Sequence, residues 1–261
     1  MNFSLIAKYI NYRFSSFTEH DLHSPFLYNF YIELIRNKYP FQDFEELNSI
    51  RKKLILNQQE IEMVDFGAGS KTLKSNKRKV SDIAKKGIAQ KKQAEFLYRL
   101  LNKFNPKTVV ELGTSLGLTT LYFADALPKA NIYTIEGCPD LVKFSKNLFK
   151  EHSATNIVSI NGNFNSELPN LLNKLPQLDF LYVDGNHTYD ATMRYFSMVL
   201  EKKHAGTILV FDDIYWSADM EKAWKEIYNH PQVTLSLDLF QFGIVFFRTE
   251  NKEKEHFVLR F

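Results

Sequence analysis

The chain has 261 residues, 44% of them hydrophobic, with 33 Lys and Arg against 30 Asp and Glu. That length can bury a full α/β core in one large domain or two small ones, and a net charge of +3 creates no global field that would demand a nucleic-acid partner. One cysteine, Cys138, excludes an internal disulfide framework; with no signal-peptide pattern and no uncharged run near the roughly 18 residues of a membrane span, the expectation is a soluble cytoplasmic protein.

Residues 1–60 predict an aromatic-rich helical extension. Ser24-Pro25 offers a capping hydroxyl and then a proline at the first helical position, after which Phe26 to Ile35 reads as a largely buried helix. Glu45 to Leu56 has a weaker helical period. Rings at this density pack on the main domain or on a second copy of the chain, so a homodimer is one expected partner state. Residues 61–92 read as a basic loop or linker. Within it Asp65-Phe66-Gly67-Ala68-Gly69-Ser70 imitates a nucleotide-binding turn, yet no apolar strand ending in an acid follows at the right distance, so the turn is taken as a decoy. Lys71, Lys74, Lys77, Arg78, Lys79, Lys85, Lys86, Lys91 and Lys92 then accumulate, with Asp82 the only acid among residues 71–92. They form either a solvated face or a surface for an anionic acceptor or phosphate.

Residues 93–261 alternate regularly. The expected strands are Lys107–Leu112, Asn131–Glu136, Asn156–Asn161, Leu178–Asp184 and Gly206–Asp212. Helices are expected at Gln93–Phe104, Leu116–Ala126, Leu141–His152, Glu167–Leu175, Tyr189–Lys203 and Ala218–Asn229. Two further apolar runs, Val233–Leu239 and Gly243–Arg248, meet at a tight turn. The fold class that follows is α/β: a doubly wound, seven-stranded sheet whose last strand inserts antiparallel.

Val110-Glu111-Leu112-Gly113-Thr114-Ser115-Leu116-Gly117-Leu118-Thr119-Thr120 is a strand that breaks into a small-residue turn and then a helix. Such a turn lets a ligand approach the backbone over free helix N–H groups. The next strand ends in Glu136, whose two oxygens suit the vicinal hydroxyls of a ribose. Glu111 is costly as an unpaired core acid; it accepts from turn N–H groups or approaches the positive end of a ligand.

Glu111-x-Gly113-x-x-x-Gly117, the strand-end Glu136 and the closing hairpin resemble a class I S-adenosylmethionine-dependent methyltransferase, whose sheet is Rossmann-like. Val109-Val110-Glu111-Leu112-Gly113 and Thr134-Ile135-Glu136-Gly137-Cys138-Pro139-Asp140 are similar to the first two motifs of the cation-dependent O-methyltransferases of the catechol and caffeoyl-CoA type. The resemblance covers roughly residues 90–250, within an S-adenosylmethionine-dependent domain of residues 93–261. It implies that Gly113, Thr114, Ser115 and Gly117 line the methionine part of the donor, with Thr119 near its carboxylate, Glu136 on the ribose and Asn163 at the adenine. Glu111, Gly137 and Asp184 complete the donor-binding set.

A second constellation is acidic. Val183-Asp184-Gly185-Asn186-His187 and Val210-Phe211-Asp212-Asp213 each follow a strand at the same edge of a parallel sheet. Carboxylates are the ligands hard cations prefer, so Asp184, Asp212 and Asp213 are candidate metal ligands for Mg²⁺, or for Mn²⁺ or Ca²⁺. In the resembled enzymes Asp184 and Asp212 match ligands, while Asp213 replaces a usual asparagine. The pattern Asp184-Gly185-Asn186-His187-x-Tyr189 resembles relatives that methylate sugar hydroxyls, which implies His187 as catalytic base; an imidazole is well suited to take a proton near neutral pH. The alternatives are that His187 merely begins a helix or hydrogen-bonds an acid, and that the paired aspartates cap a helix. Trp216 and Tyr189 either wall an acceptor pocket or pack. The implied function is O-methylation of a small-molecule or sugar hydroxyl; a metal-free methylation is the alternative. RNA binding is disfavoured, because the basic charge is local and has few interleaved aromatics.

Overall fold

A computed structural model describes residues 3–36, 44–63, 77–251 and 253–261. The decoy turn at 65–70, Lys71 and Lys74 lie outside the described residues. The chain divides into two compact units, one from residues 1–40 and 177–261, the other from residues 41–176.

The first unit opens with helices α1 (Phe3–Ser15) and α2 (Pro25–Phe30). Ser24 makes no side-chain capping bond, contrary to expectation, so Pro25 at the first position marks the start. The run to Ile35 is helical throughout, but it widens into a π-helical turn over Tyr31–Ile35, where Arg36 N–H reaches Tyr31 O at 2.9 Å. These aromatics pack within their own unit. Tyr12 Oη donates to Leu259 O at 2.6 Å and accepts from Phe261 N at 2.8 Å. Phe26 meets Phe246 edge-on and carries the Arg248 guanidinium 3.6 Å above its ring.

The second unit begins with α3 (Glu45–Leu56), β1 (Glu60–Glu62), β2 (Lys77–Lys79) and α4 (Val80–Lys86). Residues 77–86 are therefore not loop, as the lysine run suggested. Val80, Ile83 and Ala84 supply a buried face inside that run, and β2 pairs antiparallel with β1. Then follow α5 (Lys91–Phe104), β3 (Thr108–Leu112), α6 (Leu118–Ala126), β4 (Asn131–Glu136), α7 (Pro139–Glu151), β5 (Ile157–Asn161) and α8 (Phe164–Leu172). Strands β3, β4 and β5 are parallel neighbours. Helix α8 starts three residues before the expected Glu167, because Asn163 Oδ1 accepts from Asn165 N at 2.8 Å and caps it there.

Completing the first unit are β6 (Phe180–Val183), α9 (Tyr189–Leu200), β7 (Ile208–Asp212), α10 (Ala218–Asn229), β8 (Leu235–Asp238), β9 (Phe242–Phe246) and β10 (Glu255–Val258). Their order is β10-β8-β9-β7-β6. Strands β6 and β7 run parallel, and β9 inserts antiparallel to both β7 and β8, as the hairpin predicted. Every residue of β6 to β9 is buried, which is why β6, β7 up to its closing acid, and β9 read as apolar runs. Strand β10 is an addition to the seven expected strands. It pairs parallel with β8, but its half-exposed Glu-His-Phe-Val sequence has no apolar run to announce it. Among the described residues no helix is long and apolar enough to cross a membrane.

Candidate active site

In the second unit, the turn after β3 is built from residues that tolerate left-handed backbone. Gly113, Ser115 and Gly117 have φ of 105°, 49° and 84°. At Gly117 a Cβ would lie 2.7 Å from the Phe149 ring and 2.9 Å from Ser145 Cβ, so glycine is required by both conformation and space. Glu136 anchors the turn from the end of β4: Oε2 accepts from Ser115 N at 3.0 Å and Oε1 from Cys138 N at 2.9 Å. Asn161, which the sequence reading passed over, donates from Nδ2 to the carbonyls of Glu136 and Gly137 at 3.0 and 3.1 Å. Ser115 Oγ donates to Gly87 O at 3.1 Å, which ties the end of the lysine-rich segment to the same turn. Thr119 is buried in the first turn of α6, and Asn163 caps α8 two residues beyond Asn161.

Glu111 is fully buried beneath this turn and does not bond the turn's N–H groups. Its Oε2 accepts from Thr120 Oγ1 at 2.5 Å and Thr134 Oγ1 at 2.6 Å. Since the Thr134 proton is thus committed, Thr114 Oγ1, 2.5 Å away, donates to Thr134. Glu111 Oε1 has no hydrogen-bond partner among the described residues. Burial pushes this carboxyl up to about 7; the two threonine bonds oppose the rise and Glu136 adds to it. The folded chain therefore holds a proton that the unfolded chain, at the ordinary 4.5, has released. Stability should fall as pH rises from 4.5 through 7, by about 3 kcal/mol in all. Denaturation midpoints recorded across that range should slope downward, and Glu111→Gln should flatten the slope; identical slopes would mean that the carboxyl is ionised throughout. The orphaned, buried oxygen below a ligand-sized turn fits a cationic donor.

The acidic residues belong to the first unit. Asp184 follows β6, and Asp212 closes β7 and is buried. Between the two carboxylates stands a residue the sequence reading missed. Tyr182 Oη donates to Asp212 Oδ2 at 2.5 Å and lies 3.4 Å from Asp184 Oδ2. Asp212 Oδ1 accepts from Asp213 N at 2.8 Å. Burial, then the charges of Asp184 and Asp213, raise the Asp212 carboxyl well above its usual range, and burial also raises Asp213. His187 Nε2 sits 3.7 Å from Asp184 Oδ1, on the residue just before Thr188, the N-cap of α9.

The expected cation site is not preformed as a cluster of three side chains. Among the described residues no three His, Cys, Asp or Glu side chains converge to hold an ion. Asp212 and Asp213 are consecutive at the end of β7, and Asp213 takes left-handed backbone at φ 54°, close enough for its charge to act on Asp212 and for His187 to act on it. The capping alternative is not what the aspartates do either, since Ser217 Oγ caps α10 by accepting from Met220 N. Tyr189, a candidate pocket wall, is instead held on α10: its Oη donates to Glu226 at 2.6 Å and Lys222 Nζ lies 4.0 Å over its ring. Trp216 remains 66% exposed.

Residues 110–214 match the profile of a family described as a methyltransferase domain. No curated protein sequence matches the chain. Solved structures with a similar fold include the S-adenosylhomocysteine-bound methyltransferase PaMTH1 of Podospora anserina, at 19% identity and TM-score 0.55 over 63% of this chain and 81% of that one. The O-methyltransferase TomG of Streptomyces achromogenes, involved in tomaymycin synthesis and bound to S-adenosylmethionine, shares 18% identity at TM-score 0.55 over 62% and 82%. An O-methyltransferase of Bacillus cereus in complex with S-adenosylhomocysteine shares 15% identity at TM-score 0.56 over 82% and 95%. The methyltransferase profile thus lies on the motif-bearing strands β3, β4, β6 and β7, in an α/β fold similar to that of these solved methyltransferases.

Proposed function

We propose that the enzyme transfers a methyl group from S-adenosylmethionine to a hydroxyl oxygen of a small molecule. The observation that carries this reading is the methyltransferase profile itself, which runs from Val110, beside Glu111, to Ile214, just past Asp212 and Asp213. It therefore takes in both the donor turn and the acidic strand ends. Support for the donor comes from neighbours that hold it or its demethylated product. When bound, S-adenosylmethionine supplies a methyl carbon on a positively charged sulfur, and S-adenosylhomocysteine leaves once that carbon has bonded to the acceptor oxygen.

The chain's own residues bind, orient and move one proton. Gly113 to Gly117 let the donor reach the backbone, Glu136 receives the ribose, and Gly137 and Asn163 border the adenine. Glu111 places a buried carboxyl oxygen below the turn for the donor's cationic end, whose charge would favour loss of its proton. On the acceptor side His187 takes the hydroxyl proton on its imidazole, which Asp184 orients. Tyr182 donates its one hydroxyl proton to Asp212 and so fixes that carboxylate at the end of β7. The buried Cys138, free of any disulfide, suits a cytoplasmic setting.

Isotopically labelled S-adenosylmethionine incubated with a panel of phenols, catechols and polyols tests the reading, and label should appear in an ether methyl. Labelling of no hydroxyl compound, despite donor binding, would remove it. Turnover should survive dialysis against EDTA; loss that Mg²⁺ or Mn²⁺ restores would return the aspartates to the role of ligands.

A further inference from the structure

Helix α1 turns an apolar side outward, the reverse of the usual amphipathic arrangement. Lys8 and Tyr12, one helical turn apart, face the body of the first unit. Lys8 Nζ pairs with the Glu221 carboxylate, and Tyr12 Oη bridges Leu259 O and Phe261 N. Ile10 lies midway between them in the chain and so, at about 100° per residue, on the opposite side of the helix. Ile6 and Phe14 stand one turn before and one turn after it, which completes a stripe along that side. The stripe is open: Ile6 is 37% exposed, Ile10 50% and Phe14 86%.

Contiguous apolar surface of this kind marks a contact site rather than scattered exposure. Phe14 alone leaves about 170 Å² open, and the three side chains together leave roughly 350 Å². A standard interface takes about 800 Å² from each partner, of which about 450 Å² is apolar. The stripe therefore supplies most of the apolar share before exposed Ala7 and the stem of Arg13 are added. Its layout is also self-complementary. An antiparallel copy related by a two-fold axis at Ile10 brings Ile10 onto Ile10, and each Ile6 onto the partner's Phe14, because both stand four residues, about 6 Å, from the axis. Arg13 then falls opposite Ala7, and the two copies of Arg13 start about 9 Å apart along the helices, so like charges are not forced together. A lipid surface asks for cations along the rim of such a stripe. Helix α1 offers Arg13 alone, since Lys8 is turned inward onto Glu221.

We propose that two copies of this chain associate through α1, with Ile10 on the two-fold axis and Ile6 and Phe14 packed against the partner copy. The interface uses none of the residues assigned to the methyl donor or the acceptor, so it stands or falls apart from the methyl-transfer reading.

Light scattering on the full chain after size exclusion, at about 50 μM, tests this. Wild-type protein should have the mass of two chains. Ile10→Glu and Phe14→Ser should each raise the dissociation constant of the dimer about a hundredfold or more, while circular dichroism stays that of the wild type because both side chains are exposed. Ile10→Cys should cross-link to its own copy under mild oxidation, since helices touching at that point bring the two Cα atoms within the reach of a disulfide. Asn11→Cys, about 100° round the helix, should not, and the native Cys138 is buried and takes no part. Monomeric wild-type protein would overturn the assignment, as would a dimer that survives both substitutions and leaves Ile10→Cys uncrosslinked. Monomer that binds vesicles of phosphatidylcholine and phosphatidylserine, and loses them in Phe14→Ser, would give the face to a membrane and overturn it equally.

Discussion

Replacing His187 with alanine should slow methyl transfer by about a hundredfold or more, the share a positioned base commonly supplies, while donor binding stays close to that of the wild type. The expectation comes from placement. His187 stands between Asn186, at φ 63°, and Thr188, the N-cap of α9, so the backbone on both sides is constrained. Asp184 Oδ1 is 3.7 Å from Nε2 and can orient the ring, with the carboxyl of Asp213 also acting on it. Asp184→Asn should therefore reduce transfer too, though by less than loss of the imidazole, because the ring remains. Single-turnover transfer from labelled donor and calorimetric donor titration separate chemistry from binding. Unchanged turnover in His187→Ala would leave the histidine as the start of a helix and nothing more.

The largest structural effect is expected at Gly117. Alanine there must adopt φ 84° and must place a methyl 2.7 Å from the Phe149 ring and 2.9 Å from Ser145 Cβ. Both neighbours lie on α7 and are buried, so neither can swing into solvent. Left-handed backbone costs about 1–2 kcal/mol and overpacking about 1–3 kcal/mol, against a typical total stability of about 5–15 kcal/mol. Gly117→Ala should thus lower the denaturant midpoint markedly and weaken donor binding, since the turn cannot keep its shape. A variant with the wild-type midpoint would show that α7 yields at little cost.

The fold was largely legible because buried parallel strands and amphipathic helices leave different periods in a sequence. Phe180–Val183 and Ile208–Asp212 are apolar along their whole length up to the closing acid, and the two acids that end or follow them were placed at strand ends from pattern alone. The turn after β3 was legible for a different reason: Gly113 and Gly117 stand where backbone of positive φ is needed. Direction of side chains was what the sequence did not carry. Three aspartates at one sheet edge suggested a ligand set without showing how each carboxyl is held, and a strand-interior tyrosine reads as core until its hydroxyl is seen at Asp212. The period-2 relation of Tyr182 to Asp184 was the available clue, since it puts both on one side of β6. Likewise Ser24 had the residue type of a cap but not the geometry, and the short polar strand β10 gave no periodic signal.

The bond from Tyr12 to Leu259 joins residues 247 positions apart. On a ribosome adding about 5–20 residues per second, the first helix is made tens of seconds before the carbonyl that anchors it. During that interval Tyr12 lacks its native partners at the far end of the chain, so nascent molecules are at their stickiest early and are sealed last. Synthesis at lower temperature, or with a holdase chaperone in excess, should accordingly raise the soluble yield more than any stabilisation of the central strands.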